Sequence, residues 1–161
     1  MTITSHSSHN LRKTFGIYPT GIALTAGHLD GTPIGMLTNS FATVSLEPPL
    51  VTVSFAHTST TWPQLHKIQR LGISFLSADD YDTAQLLRRP TAERFENLEV
   101  QKNSDGSLVL PAAAAHLIVE LNQAFEAGDH IMTLWKVISH KRQDDARPLV
   151  FHDGTLHQLA A

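Results

Sequence analysis

The sequence predicts a mainly β domain, an antiparallel meander that closes into a small barrel with short flanking helices. Three observations lead there. The pairs Asp30-Gly31, Asp105-Gly106 and Asp153-Gly154 each fall between β-rich runs, which marks tight hairpin turns and argues against βαβ crossovers. Apolar residues alternate with polar ones at Leu117, Val119 and Leu121, the period of a half-buried strand. The runs between turn signals amount to roughly seven or eight strands, and closing such a meander removes its exposed edges.

Taken in order, residues 1–10 form a polar, mobile start and residues 11–161 a single domain. A short helix runs from Asn10, its cap, to Tyr18, with Leu11 and Phe15 on one face. Pro19 and Gly21 end it. A strand at Ile22–Ala26 turns through Asp30-Gly31 into Ile34–Leu37. Two β-rich runs follow, Met36–Leu46 and Leu50–Phe55, separated by Glu47-Pro48-Pro49, since proline fixes φ and cannot donate to a ladder. A helix over Trp62–Arg70 is capped by Thr60 or Thr61 and tolerates Pro63 in its first turn. Leu71–Leu76 is a strand. Asp79-Asp80 and Arg88-Arg89 suit the two ends of a helix over Tyr81–Arg89, and Pro90 stops it. Thr91–Asn97 is irregular or a short helical turn. His116–Phe125 and Ile131–Ser139 are strands joined by the loop Glu126–His130. Residues 141–147 form a charged loop, and the last hairpin pairs Leu149–His152 with Thr155–Leu159.

Composition excludes several functions. At 161 residues and 42% hydrophobic content the chain suffices for one core. A formal charge of −3 provides no basic field for nucleic acid. Without cysteine there are no disulfides, no thiolate metal sites and no cysteine nucleophile, which fits a reducing cytoplasm. No apolar run is long enough to span a membrane, and MTITSHSSHN lacks the features of a secretory signal. The ten histidines are scattered without a ligating spacing, so no metal site is expected. G-x-G-x-x-G, P-loop and G-x-S-x-G motifs are all missing.

What remains is a set of neutral hydrogen-bonding residues among strands: Thr38-Asn39-Ser40 in the first run and Thr58-Ser59-Thr60-Thr61 after the second. Amide and hydroxyl groups supply donors and acceptors without charge, which suits a polar heteroaromatic ring. The start of the helix after Thr61 offers backbone N–H groups to a phosphate. The plainer reading of Thr58–Thr61 is an ordinary cap and turn; with Asn39 nearby, the pattern reads as a flavin site.

The runs Pro19–Ala23, Gly35–Phe41, Val44–Val51, Val53–Phe55, Ser59–Thr61, Arg94-Phe95, Leu108–Pro111, Gly128–His130 and Pro148–Phe151, in that order, resemble the flavin reductase-like family. The resemblance spans residues 11–159. It implies a six-stranded Greek-key split barrel of the FMN-binding type, a homodimer, and the role of a small reductase that supplies a flavin-dependent monooxygenase. It places flavin contacts at Thr38, Asn39, Ser40 and Phe41, and the phosphate at Ser54, His57, Ser59 and Thr60. Arg88, Arg89, Arg94 and Phe95 lie in the segment that approaches the flavin tail, although Arg88 and Arg89 equally suit a helix C-terminus. His130 is assigned to the nicotinamide side. Asp129 either orients it or simply forms the turn.

The activity implied is hydride transfer from NADH or NADPH to FMN or FAD, with rate coming chiefly from holding the two rings together. A flavin-binding electron carrier without reductase turnover is the alternative. Two positions depart from the family pattern: Trp135, where a small residue is common, and Leu156, where an aromatic residue is common. The first bears on packing near the site or the dimer surface, the second on affinity for the nicotinamide.

Overall fold

The computed structural model describes residues 7–159. Its elements are helix α1 (Ser8–Gly16), strands β1 (Thr20–Gly21), β2 (Ala23–Leu29), β3 (Thr32–Thr38), β4 (Ala42–Leu46) and β5 (Pro49–Ala56), helix α2 (Trp62–Leu65), strand β6 (Arg70–Phe75), helix α3 (Tyr81–Leu87), and strands β7 (Gln101–Lys102), β8 (Leu108–Val109), β9 (Ala115–Ala127), β10 (His130–Arg142), β11 (Leu149–His152) and β12 (Thr155–Gln158). Seven strands form one antiparallel sheet in the order β3-β2-β6-β9-β10-β5-β4. It curls like a barrel but does not close: β3 and β4 remain its two edges. The barrel is therefore split, as the family resemblance implies, and its sheet has seven strands where six were expected. The chain crosses the split directly, and only Asn39, Ser40 and Phe41 separate the edges. Their ends can stand no more than about 14 Å apart.

Local chemistry accounts for the turns. Asp30 and Gly31 have φ of 50° and 79°, and Asp153 and Gly154 have 47° and 79°. Positive φ at both central residues is what a type I′ hairpin demands. At the third pair only Gly106 is left-handed, at 93°, and Asp105 Oδ1 accepts from both Ser107 N and Ser107 Oγ at 3.0 and 2.6 Å.

Two apolar clusters sandwich β2 and β6. The interior cluster includes Ala23, Val51, Val53, Phe55, Trp62, Leu65, Leu71, Ile73, Val119 and Trp135. The outer one gathers Leu24, Ala26, Leu76, Ala84, Leu87, Leu108, Leu149 and Leu156 beneath α3 and the small hairpins. Strand alternation thus sends Ala23 one way and Leu24 the other, and both are buried. Trp135, the first departure, belongs to the interior core rather than to a surface. Its Nε1 donates to Thr133 Oγ1 at 2.6 Å, which donates in turn to Val53 O at 2.6 Å. Leu156, the second departure, is buried in the outer cluster.

Several boundaries differ from expectation. The first helix begins earlier, at Ser8, and is capped by Ser7 Oγ accepting from Asn10 N at 3.2 Å. Residues 1–6 of the expected mobile start lie outside the described residues. The run Met36–Leu46 breaks at Asn39–Phe41. The helix expected over Trp62–Arg70 spans only Trp62–Leu65, because Arg70 is drawn into β6 beside Glu120. The helix expected to reach Arg89 ends at Leu87 and is preceded by a 3₁₀ turn, where Asp80 Oδ2 accepts from Ser77 N and Oγ. The loop at Glu126–His130 contracts to Gly128-Asp129, since β9 and β10 pair as far as Ala127 and His130.

Candidate active site

The seam between β3 and β4 gathers the first set of neutral polar residues singled out in the sequence, Thr38, Asn39 and Ser40. Asn39 is exposed at its centre and lines three adjoining cavities of about 910, 250 and 330 Å³. The 250 Å³ cavity has walls of Ile22, Phe41, Phe75 and Leu149, with Thr38 and Asn39 on its rim. Phe41 is held edge-on to Phe75, ring centroids 4.7 Å apart. Ser40 is clamped by β5: its Oγ donates to Ser54 O at 3.1 Å and accepts from Ser54 N at 3.0 Å. Ser54 is thereby committed through its backbone to the seam.

Thr38 serves mainly the fold. It is buried, its Oγ1 lies 3.3 Å from Thr25 Oγ1 and donates to Ala23 O at 3.4 Å. The arginines divide in the same way. Arg88 is exposed and lines two of the three cavities. Arg89 donates to Leu86 O and Glu96 O at 3.0 Å each, serving the helix end. Arg94 Nη1 donates to Gly35 O at 2.6 Å while it also lines the 330 Å³ cavity, and burial draws its pKa down. Phe95 packs against the backbone of Gly35. The segment after α3 is thus strapped to β3, and Arg88 is left facing the opening.

A second group lies at the far end of β5. Ser59 Oγ accepts from Thr61 N and Trp62 N at 3.3 and 3.1 Å, so it caps the short α2. Thr60 is exposed and its carbonyl accepts from Gln64 Nε2 at 3.2 Å. His57 N donates to Asp129 O at 3.0 Å, and His57 Nε2 pairs with Glu126 Oε2 at 3.0 Å. His130 Nδ1 lies 2.7 Å from Asp129 Oδ1. The hydrogen bond from His130, and then its charge, hold the Asp129 carboxyl below the usual carboxylate range. His57 and Ser59 also line a separate groove with Trp62, His66 and Phe125.

The two groups are linked through one strand. His130 pairs with Ala56 and Met132 with Ser54, so His130 and Ser54 stand on the same side of the sheet, two residues apart along the ladder. Arg12 and Lys13 of α1 also line the largest cavity. They carried no signal in the sequence beyond a polar helix, because only the fold brings α1 to the seam.

The residues present fit a flat ring with a polar edge: apolar walls, an amide on the rim, a clamped hydroxyl, and a cation at the mouth. A split antiparallel barrel with this seam defines a split-barrel flavin reductase. Residues 15–160 match the flavin reductase like domain model, and the chain belongs to that family.

The chain is similar to "Actinorhodin polyketide dimerase" of Streptomyces coelicolor, 33% identical over 94% of this chain and 86% of that protein. It is 34% identical to "FMN reductase (NADH) SmoA" of Agrobacterium fabrum over 96% of this chain and 87% of the other. Among solved structures it superposes on the NADH:FAD oxidoreductase SgcE6 of Streptomyces globisporus with a TM-score of 0.91 and 26% identity, covering 100% and 98% of the two chains. Other relatives named as a flavin reductase or as reductase parts of demethylase and monooxygenase systems are longer, and the chain spans 44%, 57% and 41% of them.

Proposed function

We propose that this protein is an NAD(P)H:flavin oxidoreductase that reduces FMN or FAD and supplies the reduced flavin to a partner monooxygenase. One observation carries the reading: the exposed Asn39 amide makes no hydrogen bond among the described residues, at a point where three cavities meet on the open seam. The flavin, when bound, supplies the redox chemistry by accepting a hydride from a reduced nicotinamide. The chain's part is placement. Asn39 offers both a donor and an acceptor to a ring edge, Ser40 is fixed by Ser54, and Phe41 and Ile22 exclude water from one face. Arg88 offers charge to a phosphate. His130, aimed by Asp129, lies on the side of the sheet that continues from Ser54 and suits a visiting carboxamide.

Anaerobic mixing with each pairing of NADH or NADPH with FMN or FAD tests this directly. At least one pair should bleach the flavin absorbance within seconds, whereas no bleaching by any pair ends the reductase reading. Tight flavin retention without nicotinamide oxidation would instead identify the carrier. His130→Ala is expected to slow reduction about tenfold through lost positioning while flavin affinity stays within about twofold. An unchanged rate removes His130 from the nicotinamide side.

The reading includes a homodimer. Val44, Leu46, Phe125 and Ile138 are exposed along β4, β9 and β10, and Leu46 reaches 95%. Large apolar side chains exposed on strands of one sheet suit an interface. Light scattering should give twice the chain mass, and Leu46→Glu with Phe125→Glu should give the monomer. A wild-type monomer overturns this assembly. No helix among the described residues is long and apolar enough to cross a membrane, and the lack of cysteine supports a cytoplasmic setting.

A further inference from the structure

We propose that His152 and His157, on the outward face of the last hairpin, chelate one divalent first-row metal ion, Ni²⁺, Cu²⁺ or Zn²⁺. The two stand five positions apart in the chain, which is no ligating pattern for a helix. The turn is what brings them together. Val150 pairs with His157 and His152 with Thr155, so the two histidines are diagonal neighbours on one side of the β11–β12 ladder. The other side carries Leu149, Phe151 and Leu156, which pack into the outer apolar cluster. The imidazole rings lean toward each other across the strands, with centroids 5.9 Å apart.

Neither ring has another partner in the fold. His28 Nε2 lies 2.8 Å from Asn103 O, His57 pairs with Glu126 and His130 with Asp129. By contrast, His152 and His157 make no hydrogen bond or ion pair among the described residues, and each faces the other. His157 is exposed and His152 half-buried, so an ion can reach both from solvent. Asp153 follows His152 directly but turns its carboxylate toward Gly16 of α1. The donor set is therefore two imidazoles.

The separation suits a shared ion. An imidazole nitrogen binds Zn²⁺ at about 2.0–2.1 Å, which puts two rings on one tetrahedral ion with centres roughly 5 Å apart. The rings of His152 and His157 are within about an ångström of that spacing, a gap that side-chain torsions close without moving the backbone. The backbone beneath is firm. Asp153 and Gly154 form the left-handed turn, Leu149 N donates to Leu76 O at 3.1 Å, and Gln158 Nε2 donates to Ala78 O at 2.7 Å. Strand β1 pairs along the other edge of β11. Donors already held near their bound positions lose little freedom on binding. Imidazole favours borderline ions such as these, whereas Mg²⁺ and Ca²⁺ prefer oxygen. The remaining positions fall to water, and the ion clips β11 to β12.

The test titrates untagged protein with Ni²⁺, Cu²⁺ or Zn²⁺ salts by calorimetry. Wild type is compared with His152→Ala, His157→Ala and, as control, His140→Ala, which removes an exposed histidine of β10. Wild type should bind one equivalent whose affinity falls about tenfold or more in either hairpin variant and stays within about twofold in the control. Mg²⁺ in about a hundredfold excess should not displace it. No binding by wild type, or an affinity that neither hairpin variant moves, overturns the site. A loss in only one of the two reduces it to a single ligand and overturns the chelate. Should a variant fail to fold, wild-type protein alone decides: substoichiometric Cu²⁺ should broaden the amide NMR signals of β11 and β12 first, and broadening that starts elsewhere overturns the assignment.

Discussion

Replacing Gly72 by alanine is expected to lower the melting temperature by roughly 8 °C or more, the outcome of about 3 kcal/mol of overpacking in a chain of this size. Gly72 sits on β6, paired to Ala26 of β2 on one side and Ile118 of β9 on the other. Its missing side chain is what lets β8 lie against the sheet. A Cβ there would overlap the carbonyl oxygen of Leu108 and stand 2.6 Å from Val109 Cγ1. The first obstacle is main chain and cannot rotate away. Relief requires moving either β8 or the middle of the sheet, and Leu108, Val109 and their neighbours are fully buried. Gly21→Ala is the control, because a Cβ there meets nothing within 4 Å, and its melting temperature should stay within about 2 °C of wild type. A Gly72→Ala protein that melts within the same margin would remove the close-approach argument.

Replacing Asn39 by leucine is expected to weaken flavin binding between about tenfold and a hundredfold, with little change in melting temperature. The size follows from leaving the polar edge of a bound ring unpaired, about 1–3 kcal/mol. Stability is spared because Asn39 is exposed, lies outside both ladders, and makes no hydrogen bond within the fold among the described residues. Fluorescence titration with FMN and FAD, beside a thermal melt of the unliganded variant, separates the two effects. Unchanged affinity for both flavins would move the ring away from the seam. Equal losses in affinity and stability would make Asn39 a structural residue.

These two positions show what the sequence discloses and what it withholds. The hairpins at Asp30-Gly31 and Asp153-Gly154 were legible because left-handed backbone is a local demand with a local chemical signature. Asn39 and Ser40 stood out because neutral polar residues inside a β-rich run have few structural uses. Gly72 gave no such signal: its partner Leu108 lies far along the chain, and close approach of two backbones leaves no mark on either segment. The arginines failed to separate for the same reason. Arg89 and Arg94 donate to main-chain carbonyls, whose positions depend on the fold and not on residue type. The last pairings of β9 and β10 before Gly128 were hidden because Glu126, Ala127 and His130 carry no apolar alternation. The short α2 was overestimated since Leu65 and Ile68 are buried as a helix would bury them, although the chain has left the helix before Ile68.

The direct passage from β3 to β4 has a consequence for how such proteins diversify. Asn39, exposed between the two edges of the sheet, belongs to no ladder and to neither core, so substitutions there can retune what is held without endangering foldability. Selection can then explore new cofactors or guests at Asn39, Ser40 and the adjoining helix while Gly72 and the strands beneath it stay constrained. Innovation and architecture are assigned to different stretches of one short polypeptide.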